Sequence, residues 1–184
     1  MGMKIYKNGE WVEPTFIRKY SNGSWVDCEF AKRYSNGSWV EVWSTGRKLK
    51  LDTTILATGA TYSLSSSTDN KTLNYNLVGA GDASNNVILA VNNPNGFGTS
   101  VTIQYTLKQT LNDALAGLYW LAGDRTTKLI SHYSTITTDT TYNQTVTTNN
   151  ETTLYLLIDA WKSYRISGSI GNIVINGEPI TISV

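Results

Sequence analysis

The chain has 184 residues, a net charge of +1 and only 16% charged residues, against 40% hydrophobic ones. It has no Lys/Arg run, so nothing marks a nucleic-acid or anionic-membrane surface, and the single cysteine, Cys28, excludes an internal disulfide. No apolar stretch approaches the ~18 residues of a membrane-spanning helix, and the abundance of Thr, Ser, Asn and Tyr favours strands and polar turns over helices.

The opening "MGMKIYKNGEWVEP" reads as strand and turn rather than as a cleavable leader. It is also the first of three related units. Tyr6, Tyr20 and Tyr34 recur every 14 residues, as do Trp11, Trp25 and Trp39, and each pair brackets an Asn-Gly: Asn8-Gly9, Asn22-Gly23 and Asn36-Gly37. Asn-Gly between strand-like residues signals a two-residue hairpin turn with positive φ at both positions. That register sets each Tyr opposite its Trp. Two residues farther out it sets Lys4 opposite Glu13, Arg18 opposite Asp27 and Lys32 opposite Glu41, three pairs of opposite charge. Aromatic and ionic cross-strand pairs each favour such a ladder by roughly 0.2–1 kcal/mol.

Trp25 and Tyr34 stand nine positions apart, which would put them on opposite faces of one continuous strand. Either a bulge near Asp27-Cys28-Glu29 or a rotation of each hairpin against the last resolves this, and residues 1–46 are expected to form a small hairpin meander. Cys28 falls opposite Ile17 and reads as a small apolar residue rather than a nucleophile. The aromatics Tyr6, Trp11, Tyr20, Trp25, Tyr34, Trp39 and Trp43 have two readings: a ligand or assembly surface, or pairs that close and pack their own hairpins.

The texture changes at Ser44–Arg47, where a linker is expected. From residue 47 to 184 the sequence offers about eight short strand candidates, from "LKLDTTILA" to "NIVINGEPITISV", between turns such as "GAGDASNN" and "NNPNGFGT". In "SVTIQYTLK", Val101, Ile103, Tyr105 and Leu107 share one face and Thr102, Gln104 and Thr106 the other. The fold class expected is all-β, with the repeat hairpins followed by a jelly-roll-like β-sandwich. Near residues 112–116 the spacing of Leu107, Leu111, Leu115 and Leu118 allows one helical turn in a loop.

No sequence motif for hydrolysis, nucleotide binding or a transition metal occurs. His132, the sole histidine, lies in an alternating strand, and the acids of the second unit lie scattered beside turns. A calcium site could only be built from Asp82 with Asn85, Asn86 and backbone carbonyls, and one carboxylate is few for a hard cation. The sequence therefore indicates no cofactor and no enzyme. Beyond the repeat, Trp120 beside Tyr119, and Trp161 near Tyr164 and Arg165, are further aromatic platforms.

The repeated Tyr-x-Asn-Gly-x-Trp-Val unit of residues 4–43 resembles segments of structural proteins from phages and phage-tail-like particles of Gram-positive, Clostridium-type hosts. It is distantly similar to cell-wall-binding repeats, but it lacks their Gly-Trp and Trp-Tyr-Tyr doublets, so no choline site follows. The remainder resembles lectin-like jelly rolls in texture. The resemblance implies a virion or tail-particle protein (tail, baseplate, fibre or decoration), assembled in the bacterial cytoplasm and released by lysis. Its partners would be other particle proteins and further copies of itself, a trimer among them, with the sandwich displayed toward host-surface glycan. The alternative is a stand-alone carbohydrate- or cell-wall-binding module. Neither reading involves nucleic acid or membrane insertion.

Overall fold

The computed structural model describes residues 5–7, 10–12, 17–21, 23–28, 30–35, 38–44 and 46–184. The chain separates into two compact units, Met1–Gly46 and Arg47–Val184. No described residue is helical, so no helix is long and apolar enough to cross a membrane.

The first unit contains three hairpins: β1 (Ile5–Lys7) with β2 (Glu10–Val12), β3 (Ile17–Ser21) with β4 (Ser24–Cys28), and β5 (Phe30–Ser35) with β6 (Ser38–Ser44). Their registers set Tyr6 opposite Trp11, Tyr20 opposite Trp25 and Tyr34 opposite Trp39. Arg18 faces Asp27, Lys32 faces Glu41, and Ile17 faces Cys28. The pair Lys4–Glu13 lies outside the described residues. Gly23 has φ 82°, the left-handed geometry that the second position of such a turn demands.

The hairpins are three separate two-stranded sheets, not one sheet with shared strands. A register irregularity occurs between Ala31 and Lys32; the bulge expected near Asp27-Cys28-Glu29 involves Glu29, which lies outside the described residues.

The second unit has eleven strands: β7 (Arg47–Ile55), β8 (Thr61–Ser66), β9 (Thr72–Val78), β10 (Ser84–Asn92), β11 (Ser100–Leu111), β12 (Ala116–Leu121), β13 (Lys128–His132), β14 (Ile136–Thr147), β15 (Thr153–Trp161), β16 (Arg165–Ile175) and β17 (Glu178–Ser183). Sheet I runs β13-β12-β15-β10-β7-β17, antiparallel except for the parallel β7–β17 pair. Sheet II runs β14-β11-β16-β9-β8. The short β16–β17 ladder joins the two, turning at Asn176-Gly177 with φ of 52° and 79°.

The inward residues of both sheets form one core in a jelly-roll-like sandwich. Leu49, Val87, Leu89, Leu118, Trp120, Leu154, Leu156 and Ile158 come from sheet I, and Leu73, Leu77, Val101, Ile103, Tyr105, Leu107, Ile166 and Ile170 from sheet II. The leucine spacing that allowed a helical turn has another cause. Leu107 points inward from β11, Leu115 is exposed in the turn, and Leu118 is buried in β12. In that turn Asp113 Oδ1 accepts from Leu115 N at 3.0 Å.

Two polar groups are built into this core. Fully buried Asn85 ties the start of β10 to its surroundings: its Oδ1 accepts from Ala57 N at 2.8 Å. Its Nδ2 lies at hydrogen-bonding distance from the carbonyls of Ala80, Ala83, Ala160 and Lys162. Farther along, Tyr75 Oη donates to Gln109 Oε1 at 3.3 Å, and Gln109 Nε2 donates to the carbonyls of His132 and Ser134. His132 lies between Tyr105 and Tyr142, its Nε2 2.5 Å from the Tyr105 hydroxyl.

Burial lowers the His132 pKa below 6.5, which favours the neutral ring beside the Tyr105 hydroxyl. Above pH 6.5 folded and unfolded chains carry this imidazole alike. As pH falls below 6.5 the unfolded chain takes up the proton first, so stability drops until the native pKa is reached and then levels off. Urea unfolding should thus show a lower midpoint at pH 5.5 than at 7.5, and His132→Phe should remove most of that difference. Equal pH dependence in both proteins would contradict the assignment. Asn85→Ala should cost about 3 kcal/mol, since it leaves a buried amide and several carbonyls without their partner.

Candidate functional site

The two sheets present unlike faces to solvent. The outer face of sheet II is polar: Thr102, Gln104, Thr106 and Lys108 from β11 lie beside Thr145, Asn143 and Thr141 from β14. Hydroxyl ladders cross it at Thr102–Thr145 (3.1 Å) and Thr106–Thr141 (3.3 Å).

Sheet I differs because β10, β12 and β15 are apolar on both faces. Period-2 alternation with the observed register sorts the outer residues into rows. One row runs Thr53, Ile88, Leu157, Tyr119, Ser131, and the next runs Lys50, Ala90, Tyr155, Leu121, Lys128. On the other side lie Ile55, Asn86, Asp159 and Gly117, then Ser84 and Trp161. Ile88, Ala90, Tyr119, Leu121 and Tyr155 form a second apolar cluster, with Leu157 packed on it, distinct from the core. Exposed large side chains join this face as well: Ile55 (57%) and Trp161 (36%).

Cations sit on the two tyrosines. The Arg125 guanidinium carbon lies 4.7 Å above the Tyr155 ring centre and Lys128 Nζ lies 4.0 Å above that of Tyr119. Arg125 Nη2 also pairs with Asp52 Oδ2 at 3.0 Å. The space for Tyr119 comes from Gly117. A Cβ there would stand 2.5 Å from the Tyr119 hydroxyl and 3.0 Å from the His132 carbonyl oxygen, so any larger residue would push the ring aside.

Asp159 is the acid beside Gly117 on this face. Ser84 Oγ donates to its Oδ1 at 2.6 Å, and the Asn86 amide, with its nitrogen turned toward the carboxylate, donates to the same oxygen at 2.7 Å. Desolvation raises the Asp159 pKa, opposed by the Ser84 hydrogen bond and the charge of Lys128. Tyr119 is likewise pushed up, first by burial and then by Asp159 and Tyr133.

The aromatic candidates separate accordingly. Trp161 stands on the outer face of sheet I. Trp120 is corrected: it points inward from β12 and is fully buried, its Nε1 without a partner among the described residues, so it is core rather than platform. Tyr164 packs partly buried against the core. For Tyr6, Trp11, Tyr20, Trp25, Tyr34, Trp39 and Trp43 the ladder partners are fixed, Trp43 facing Ala31. Of their side chains only that of Tyr20, 63% exposed, is among those described.

The calcium arrangement does not assemble. Asp82 is exposed and pairs with Lys162 at 3.3 Å, whereas Asn85 is buried with its amide committed to backbone groups and Asn86 faces Asp159. No group of three His, Cys, Asp or Glu able to hold a metal occurs among the described residues.

Sequence reasoning missed Tyr155, Leu157, Asp159, Arg125 and Lys128. The signal was present in "NVILAVN", "GLYWLA" and "TTLYLLIDA", apolar runs without the alternation of "SVTIQYTLK". Such runs mark strands covered, or waiting to be covered, on both faces.

No protein-family model matches the chain, and no curated protein matches it by sequence. Solved structures do align with it. An arabinose-bound GH51 α-L-arabinofuranosidase aligns over 73% of this chain and 26% of its own, with 9% identity and a TM-score of 0.41. A carbohydrate-binding module of Cellvibrio mixtus lichenase 5A, in complex with cellotriose, aligns over 62% and 87%, with 16% identity and a TM-score of 0.34. The enzymatically active domain of bacteriophage CBA120 tailspike protein 4 aligns over 73% and 19%, with 13% identity and a TM-score of 0.38. The chain thus spans about a quarter of the arabinofuranosidase and about a fifth of the tailspike domain.

Removing the Ser84 hydroxyl takes away the hydrogen bond that holds the Asp159 pKa down. In Ser84→Ala, carboxyl-carbon NMR should therefore show Asp159 titrating at higher pH than in the parent protein. An unchanged or lowered midpoint would show that the Ser84 bond does not stabilise the charged form.

Proposed function

We propose that residues 47–184 form a non-catalytic carbohydrate-binding unit that holds saccharide on the outer face of sheet I. One observation carries the reading: this face sets an apolar and aromatic floor between hydrogen-bonding groups, while the β11–β14 outer face of the other sheet is lined by threonine, asparagine, glutamine and lysine. Sugars combine apolar C–H faces with a rim of hydroxyls, and a flat site of this mixed character suits them. Ser84, Asn86 and Asp159 offer both donors and acceptors at one end, and Trp161 offers a partly exposed ring beside them.

Geometry argues against hydrolysis. Hydrolysis by paired carboxylates requires the two acids to lie roughly 5–10 Å apart. Asp159 stands four residues along β15 from Tyr155, about 13 Å at the rise of a strand. Asp52 pairs with Arg125 at the Tyr155 end. The two acids of this face therefore bracket the floor rather than converge on it.

For residues 1–46 we propose an anchoring role, favoured by three hairpins that repeat one cross-strand register. On this reading the hairpins attach the sugar-binding unit to a larger assembly, of which a virion or phage-tail-like particle is the type that their sequence resembles.

A glycan array probed with the full chain tests the sugar reading, followed by titration of the best ligand. Leu157→Asp and Trp161→Ala should each weaken binding at least tenfold, about 1.4 kcal/mol, whereas Gln104→Ala and Thr106→Ala on sheet II should leave it unchanged. Loss through the sheet II variants and not the sheet I variants would place the site elsewhere.

A further inference from the structure

From residue 47 onward acids and bases balance, nine of each, and two of the bases lie over the tyrosines of the outer face of sheet I. Asp159 stands beside Gly117; Arg125, from the connection between β12 and β13, lies over Tyr155 and pairs with Asp52, and Lys128, the first residue of β13, lies over Tyr119.

That connection holds Arg125 deliberately. Arg125 has φ 62°, a left-handed conformation that L side chains adopt at a cost. Asp124 stabilises the turn: its Oδ1 accepts from Thr126 N and Thr127 N at 2.8 Å each, and its Oδ2 accepts from the Thr127 hydroxyl at 2.5 Å. These bonds, the Thr127 hydroxyl foremost, hold the Asp124 pKa down to about 2. Arg125 N closes the turn by donating to Ala122 O at 3.0 Å. The guanidinium that results lies over Tyr155 and is held at Nη2 by Asp52, with its side chain still 46% exposed. A guanidinium carries five N–H donors in a rigid plane, and one so fixed binds a carboxylate or phosphate with little further loss of freedom. Lys128 adds a second, more mobile cation from over Tyr119.

We propose that the saccharide bound by this face is acidic, with its anionic groups on Arg125 and Lys128 and its hydroxyls toward Ser84, Asn86 and Asp159. The inference rests on the sugar-binding reading and adds the ligand's charge and its direction along the strands. The shared chemistry is an oxyanion on a sugar ring, and carboxylate or phosphate would supply it.

Two matched pairs of polymers test this with the full chain: polygalacturonate against its methyl ester, and phosphomannan against dephosphorylated mannan. At least one acidic member should bind tenfold or more tightly than its neutral partner, and its affinity should fall as salt rises. Arg125→Gln and Lys128→Met should each reduce that binding at least fivefold. Lys108→Met, on the outer face of sheet II, should not change it, and thermal midpoints confirm that each variant is folded. Equal affinity for acidic and neutral partners, or undiminished binding by folded Arg125→Gln, overturns the charge assignment while leaving sugar binding intact. Binding of neutral polymers alone does the same. Failure to bind any saccharide, neutral or acidic, overturns both readings.

Discussion

The register of β15 between β10 and β12 is the constraint on which the rest of the second unit depends. Leu154, Leu156, Ile158 and Ala160 point into the core, so Tyr155, Leu157, Asp159 and Trp161 must point out. A slip of one residue would exchange the two sets, burying a carboxylate and exposing leucines. Neighbours on both sides forbid it: Ile88 and Tyr119 both meet Leu157, and Asn86 and Gly117 both meet Asp159. Asn85, anchored at the mouth of β10, fixes where that register begins.

The same alternation has opposite consequences on the two sheets. On β11 it separates a greasy face from a threonine face, and hydroxyl pairs then satisfy one another in solvent. On β10, β12 and β15 it divides one apolar sequence between two apolar surfaces. The outer one is kept from water by charged side chains laid across it, Arg125 on Tyr155 and Lys128 on Tyr119. Long cationic stems are suited to this because they cover rings while their heads remain hydrated. The covering is thus of a kind that a ligand can share or displace without breaking the core beneath.

The hairpin registers could be read from sequence because three independent aromatic pairs and the ionic pairs outside them had to agree on one alignment. The all-β class followed from composition and from strands such as β11 whose pattern is two-faced. The same turn signal at Asn176-Gly177 went unused, so "NIVINGEPITISV" was read as one strand where β16 and β17 form a hairpin. Strands rich in Thr and Ser, β8 and β14, were also passed over, since their inward residues are few: Tyr142 and Val146 alternate with threonines along β14. The candidate site was hidden for a different reason. A run such as "TLYLLIDA" shows that both faces are apolar but not which residue faces out, and that parity is set by partners distant in the chain. Trp120 misled on the same point, being one position out of phase with Tyr119.

The central claim is that the outer face of sheet I, rather than the polar sheet or the repeated hairpins, meets the ligand. Amide and methyl NMR of the labelled full chain during titration with a bound oligosaccharide examines it directly. Shifts should concentrate at Ile88, Tyr119, Tyr155, Leu157 and Asp159, with the β11–β14 threonines silent. A response confined to those threonines or to residues 5–44 would contradict the account.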